Sequence, residues 1–142
     1  MDKEFIPYEQ ALALKELGFD EPCFGRWIEP NELFISAPED DEYCQKQHEF
    51  SWTALAPLYQ QAFRWFREKY NIHAEITWSP SYEYYPGEWS DAIYEITFVD
   101  VSYTKEWKAE SPNMQRGNGK QLTYEEAELA CLDKLIVICK NK

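Results

Sequence analysis

The sequence predicts an α+β domain spanning 1–142: an antiparallel sheet of about four to five strands with three helices packed mainly on one face, in the order α-β-β-α-β-β-(β)-α. Three observations lead there. Apolar residues recur at helical spacing near the start, middle and end of the chain. Two segments after the middle alternate apolar and polar residues. Proline, glycine and asparagine fall between these segments, where turns are needed. At 142 residues one core is the economical solution, and 6 Trp, 10 Tyr and 8 Phe supply the apolar area to build it.

Tyr8 to Leu17 reads as the first helix, with Pro7 at its first position, Glu9 early and Gly18 placed to stop it. Its buried stripe is Tyr8, Ala11, Leu14 and Leu17 or Gly18. Phe24 to Ile28 and Leu33 to Ser36 form a hairpin across Glu29-Pro30-Asn31-Glu32, where proline at the second position and asparagine at the third suit a tight turn. Pro38-Glu39-Asp40-Asp41-Glu42 concentrates four like charges and reads as a solvated loop. A second helix is expected over about Thr53 to Tyr70, on the recurrence of Leu55, Tyr59, Ala62, Phe63, Phe66 and Tyr70, with Trp65 at the margin and Asn71 as the C-terminal cap.

Ile72 to Trp78 alternates strictly: Ile72, Ala74, Ile76 and Trp78 point one way, and His73, Glu75 and Thr77 the other. Ala92 to Val101 repeats the pattern, and Tyr85-Pro86-Gly87-Glu88 suits a type II turn between them. Direct pairing of Tyr85 with Glu88 would set Trp78 against Glu95 and Ile76 against Thr97. A bulge or interruption near Pro80-Ser81 is therefore expected, which slips the long strands by one residue. Val101 to Trp107 extends this strand or forms another edge, and Glu110 to Lys120 has the composition of a flexible loop. The last helix begins at a capping box, Thr123 with Glu126, and runs to about Cys139. Its apolar face is Tyr124, Ala127, Cys131, Leu135 and Ile138.

The 26 acids and 14 bases give a net charge of −12, distributed as −9 over residues 1–50, −4 over 51–100 and +1 over 101–142. Direct binding to nucleic acid or to an anionic membrane draws its affinity from Lys and Arg, so this field opposes both. The acidic half suits a basic protein partner, or none. No apolar run reaches the ~20 residues of a membrane span, and Met1-Asp2-Lys3-Glu4 lacks the features of a signal peptide, so a cytoplasmic location is the expectation. Cys23, Cys44, Cys131 and Cys139 show no CxxC spacing and read as core thiols; no metal and no cofactor is expected.

P-loop, GxGxxG, HExxH, GxSxG and EF-hand patterns are all absent. The catalytic candidates are His73, Glu75 and Glu95, with Thr77 and Thr97, because carboxylates on neighbouring strands can split into an acid and a base. The same pattern describes the solvent face of an ordinary sheet. Arg116-Gly117-Asn118-Gly119-Lys120 has the glycines of an anion-binding loop but no nucleotide-binding spacing. Tyr82, Tyr84, Tyr85 and Trp89, gathered around Pro86-Gly87, are the candidate binding residues, since tyrosine and tryptophan give large contact area at little entropic cost. Glu39 to Glu42, within the acidic half, could imitate a phosphate backbone.

Phe5-Ile6-Pro7-Tyr8-Glu9-Gln10-Ala11-Leu12-Ala13-Leu14-Lys15-Glu16-Leu17-Gly18-Phe19-Asp20, Gln61 to Tyr70, Tyr124 to Glu128 and Ala130 to Ile136 together resemble a family of small uncharacterised proteins from Bacteroides-type bacteria and their phages or prophages. The resemblance implies an association with mobile elements and carries no activity or site residue. The leading expectation is a non-catalytic protein-binding module of that type. The alternatives are an acidic inhibitor or DNA mimic acting on a nucleic-acid-binding protein, and a hydrolase using Glu75 and Glu95.

Overall fold

The computed structural model describes residues 2–79, 83–89, 93–100, 109–110 and 123–141, with the side chains of residues 43, 79, 84, 89, 93–100 and 109–110 outside that description. The chain runs α1 (Tyr8–Glu16), β1 (Gly25–Glu29), β2 (Glu32–Ile35), β3 (Ala54–Leu55), α2 (Tyr59–Tyr70), β4 (Ile72–Ser79), β5 (Glu83–Tyr85), β6 (Glu88–Trp89), β7 (Ile93–Asp100), β8 (Ala109–Glu110) and α3 (Tyr124–Lys140). The fold is α+β, with every pairing between these strands antiparallel. The sheet, however, is divided. Among the described residues β2-β1-β3 and β4-β7-β8 form two three-stranded sheets, and β5-β6 forms a separate ribbon.

The division follows from one departure in the middle of the chain. Ala54 and Leu55, expected to open the second helix, are instead a short strand that pairs Leu55 with Arg26 and Ala54 with Trp27. Pro57 is the reason. A proline disfavours helical geometry at the residue before it and donates no backbone hydrogen bond, so α2 starts at Tyr59 behind the extended N-cap Leu58. Leu55 lies one helical period before Tyr59, but it reaches the same core as a strand residue.

The helix ends are set by local chemistry. Pro7 is the extended N-cap of α1, one position outside the helix rather than its first residue. At the other end the Phe19 N–H donates to the Leu14 carbonyl at 2.9 Å and the Gly18 N–H to Lys15 at 3.0 Å. This six-to-one and five-to-two pair is a Schellman motif, and Gly18 supplies its left-handed residue at φ 96°. The motif turns Phe19 back into the core beside Leu14. Asn71 caps α2 at φ 58°, and the Thr123–Glu126 capping box opens α3.

β4 and β7 pair Ile76 with Ile96, Glu75 with Thr97 and Thr77 with Glu95, one residue away from the register that the turn alone would impose. Tyr85 does pair with Glu88 across the turn, where Gly87 takes φ 83°, whereas Glu83 pairs with Trp89. The slip therefore falls between Glu83 and Tyr85. Pro80-Ser81, Val101 to Trp107 and residues 111–122 lie outside the described residues; Ala109–Glu110 pairs with β7 as an edge strand.

α2 and α3 cover one face of β4, the face of Ile72, Ala74 and Ile76, while α1 touches β1, β3 and α3 and so joins the two sheets. The buried stripe of α3 is Ala127, Cys131, Leu132, Leu135, Ile136 and Cys139; Tyr124 is exposed at its edge. Trp65 is buried in α2, edge-on to Phe19 at 5.4 Å, with the Lys69 ammonium over its ring at 4.9 Å. All four cysteines are buried and none forms a disulfide.

Leu135→Ala should cost about 3 kcal/mol of stability, because a fully buried leucine leaves a cavity that its surroundings fill only in part. Thr123→Ala should cost about 1 kcal/mol by opening the capping box. Denaturant unfolding followed by circular dichroism measures both.

Candidate functional site: a cleft over a buried arginine

The polar face of β4 is open. His73 is partly buried, Glu75 and Thr77 are exposed, and the register places Glu75 and Glu95 as diagonal rather than directly opposed neighbours. Such diagonals span roughly 7–8 Å between Cα atoms. The side chains of Glu95 and Thr97 lie outside the described residues. Among those described, no group of three or more His, Cys, Asp and Glu side chains could hold a metal ion.

Of the expected aromatic cluster, Tyr85 is 67% exposed. Trp78, near the end of β4, is 50% exposed. Tyr84 and Trp89 are on the backbone of the same ribbon with their side chains outside the description, as is the whole of Tyr82. The ribbon's tip is held by the Gly87 N–H, which donates to the Glu83 carboxylate at 2.8 Å.

A better-formed site lies elsewhere, in the connection between β2 and β3. Sequence reasoning treats its start as a solvated acidic loop, and Glu39, Asp40 and Glu42 are indeed exposed. The segment is nonetheless pinned from within. Cys44 is fully buried, and its carbonyl accepts from the Cys23 N–H at 2.9 Å. The Gln47 N–H donates to Asp20 at 2.5 Å, and the Gln47 side-chain oxygen accepts from the Leu55 N–H at 3.0 Å.

Arg26 on β1 is 1% exposed. Its guanidinium donates to the Lys46 carbonyl and, at 3.0 Å, to the Thr53 hydroxyl, which in turn donates to the Trp27 carbonyl at 2.8 Å. From the other side α1 grips the same stretch: Lys15 donates to the carbonyls of Phe50 at 2.6 Å and Thr53 at 2.9 Å, and the Tyr8 hydroxyl to that of Trp52 at 3.0 Å. With their backbone carbonyls taken inward, the rings of Phe50 and Trp52 are turned out. They stack on each other at 4.8 Å between centroids and 25° between planes, each 55% exposed.

The result is a cleft of about 660 Å³. Arg26 and Thr53 lie in its floor, Ile28 and Phe34 come from the hairpin, and Asp41, His48, Phe50 and Trp52 come from the connection. Its electrostatics oppose those of the chain as a whole. The His48 imidazole is held below its ordinary pKa, first by loss of water and then by the charges of Arg26, Lys15 and Lys46. The Lys15 ammonium is lowered by burial and by Arg26. Burial pushes the Cys23 thiol up to about 12, and Cys44 is raised mainly by burial, so neither is a ready nucleophile. A second cleft, of about 590 Å³, lies where α2 and α3 begin and carries Glu4, Glu125 and Glu128 with Lys3; Glu128 is raised by burial and then by Glu125.

The signal that sequence reasoning passed over is Arg26 itself, one guanidinium inside the strand Phe24 to Ile28. Its hydrogen-bond partners here include a backbone carbonyl and a hydroxyl 20 and 27 positions further on.

Arg26→Met should cost about 3 kcal/mol, because it strips the Lys46 carbonyl and Thr53 hydroxyl of a buried donor. His48 is easier to protonate unfolded than folded, so its contribution to stability is complete above its ordinary value of 6.5 and is lost as pH falls below it. His48→Gln should therefore lose less stability than the parent chain between pH 7 and about pH 5, as read by denaturant titrations at each pH.

No family model, curated protein or solved structure matches the chain.

Proposed function

We propose that the chain is a non-catalytic protein-binding module of phage or prophage type that captures its partner on the aromatic ribbon β5-β6 and the adjoining end of β4. The observation that carries this reading is the exposure of Tyr85, at 67%, beside the Pro86-Gly87 turn. Large aromatics left in water by a chain that has filled its core elsewhere are the usual anchors of protein interfaces. Trp78 adds a second such ring near the end of β4. The −9 of residues 1–50 favours a partner whose facing surface is basic.

Acid–base chemistry on the polar face of β4 is less well supported. Glu75 is exposed, whereas the hydrolase reading requires it in a cleft that closes around a substrate. The DNA-mimic reading requires an unbroken acidic ridge, and the exposed Lys46 falls between Glu42 and Glu49 in the acidic connection.

Immobilised chain should recover a specific protein from a native-like lysate. Tyr85→Ala and Trp78→Ala should each reduce the recovery about tenfold, with unchanged circular dichroism and thermal midpoint. Val137→Ala, which removes an exposed apolar side chain on α3, should leave recovery unchanged. Equal recovery by the aromatic variants would remove the ribbon as the surface.

A further inference from the structure

We propose that the cleft over Arg26 binds a small planar aromatic ring bearing one carboxylate. This site is separate from the aromatic ribbon, and the ligand belongs to a different chemical class from a protein partner.

Four features of the cleft select that ligand. Its volume of about 660 Å³ falls in the range of small-molecule sites. Beneath its floor lies the buried Arg26 guanidinium, fixed by hydrogen bonds to the Lys46 carbonyl and the Thr53 hydroxyl, so its positive field acts on the cleft without further ordering of the side chain. Its rim is the stacked Phe50–Trp52 pair, oriented through carbonyls that Lys15 and Tyr8 hold, and a flat ring can extend that stack. Phe34 and Ile28 supply apolar surface from the hairpin.

The charges then narrow the choice. Arg26, Lys15 and Lys46 act together on His48 at the cleft, which favours an anion over a cation or a neutral ring. Among the described residues, Asp41 is the one carboxylate that lines the cleft. It opposes a doubly charged group such as a phosphate monoester, both directly and in concert with the net −12, and so limits the ligand to a single negative charge. An acyl chain would satisfy the apolar surface but would make no use of the flat faces of Phe50 and Trp52.

The test uses the full chain with 2-naphthoate and its uncharged counterpart 2-naphthamide, titrated by calorimetry and by the indole signal of Trp52 in NMR. 2-Naphthoate should bind one to one, and the amide at least tenfold more weakly. Trp52→Ala should weaken 2-naphthoate at least tenfold without unfolding the chain, because it is the backbone of Trp52 that α1 holds. Asp41→Asn should tighten it severalfold. In an NMR titration the His48 pKa should rise when 2-naphthoate is bound and stay in place with the amide. Tyr85→Ala should bind 2-naphthoate as the parent chain does, which separates this site from the protein-binding ribbon. The proposal is overturned if 2-naphthoate shows no saturable binding up to millimolar concentration, if acid and amide bind equally, or if Trp52→Ala binds as tightly as the parent.

Discussion

The buried guanidinium of Arg26 is the constraint around which the first half of the chain is organised. A charge withdrawn from water costs several kcal/mol unless hydrogen bonds replace its hydration, and Arg26 draws the replacement from residues 46 and 53. That requirement orders the connection from β2 to β3, which carries only one short 3₁₀ turn, Glu42–Cys44. Connections of this length without regular structure are uncommon in compact proteins unless something holds them. Here the guanidinium holds the segment from inside and the Lys15 ammonium holds it from α1, so that Thr53 is contacted by both cations. The stretch after Thr53 is thereby delivered alongside β1, where Leu55 pairs with Arg26 itself. The short strand β3 follows from that delivery, and Pro57 just beyond it holds the start of α2 back to Tyr59.

The two sheets are kept in one core by the helices. α1 meets β1 and β3 on one side and α3 on the other, and its Schellman turn sends Phe19 against Trp65 of α2. Lys69 closes this corner, with its ammonium donating to the Leu17 carbonyl at 2.9 Å while it rests over the Trp65 ring. One cation thus satisfies a helix-end carbonyl and rests on the face of a buried indole. α2 and α3 then cover β4, and among the described residues one core cluster runs from Ile6 to Cys139.

What could be read in the sequence was whatever local chemistry decides. Gly18, Asn71 and the Thr123–Glu126 box place helix ends because each acts within a few residues of itself. The register of β4 against β7 was legible for a different reason: a slip by one residue inverts the faces, and only one choice matches Ile76 to Ile96. Leu55 was misread because a residue four positions before Tyr59 satisfies a helical period whether or not the chain is helical there. Only Pro57 argued otherwise. The cleft was illegible for a deeper reason. Arg26 finds its partners in a carbonyl and a hydroxyl far along the chain, and a carbonyl has no residue type to announce it. Cys44 reads as a core thiol and the acidic run before it as solvated; the structure has both, with exposed Glu42 and buried Cys44 in one short turn.

The charge distribution acquires a direction from the same arrangement. The acids of the connection, Glu39, Asp40, Glu42 and Glu49, face solvent, while Arg26 and Lys15 lie on its inner side. Exposed charges act over a Debye length of about 8 Å at physiological ionic strength, whereas charges shielded from water are screened far less. The −12 of the chain therefore governs encounters at a distance, and the cations govern what happens within the cleft. An acidic protein built this way repels anions in bulk and still offers one of them a favourable seat, provided its charge is small enough to pass the outer field and its body flat enough to remain against Phe50 and Trp52. The same separation leaves the ribbon around Tyr85, on a different element of the fold, independent of whatever occupies the cleft.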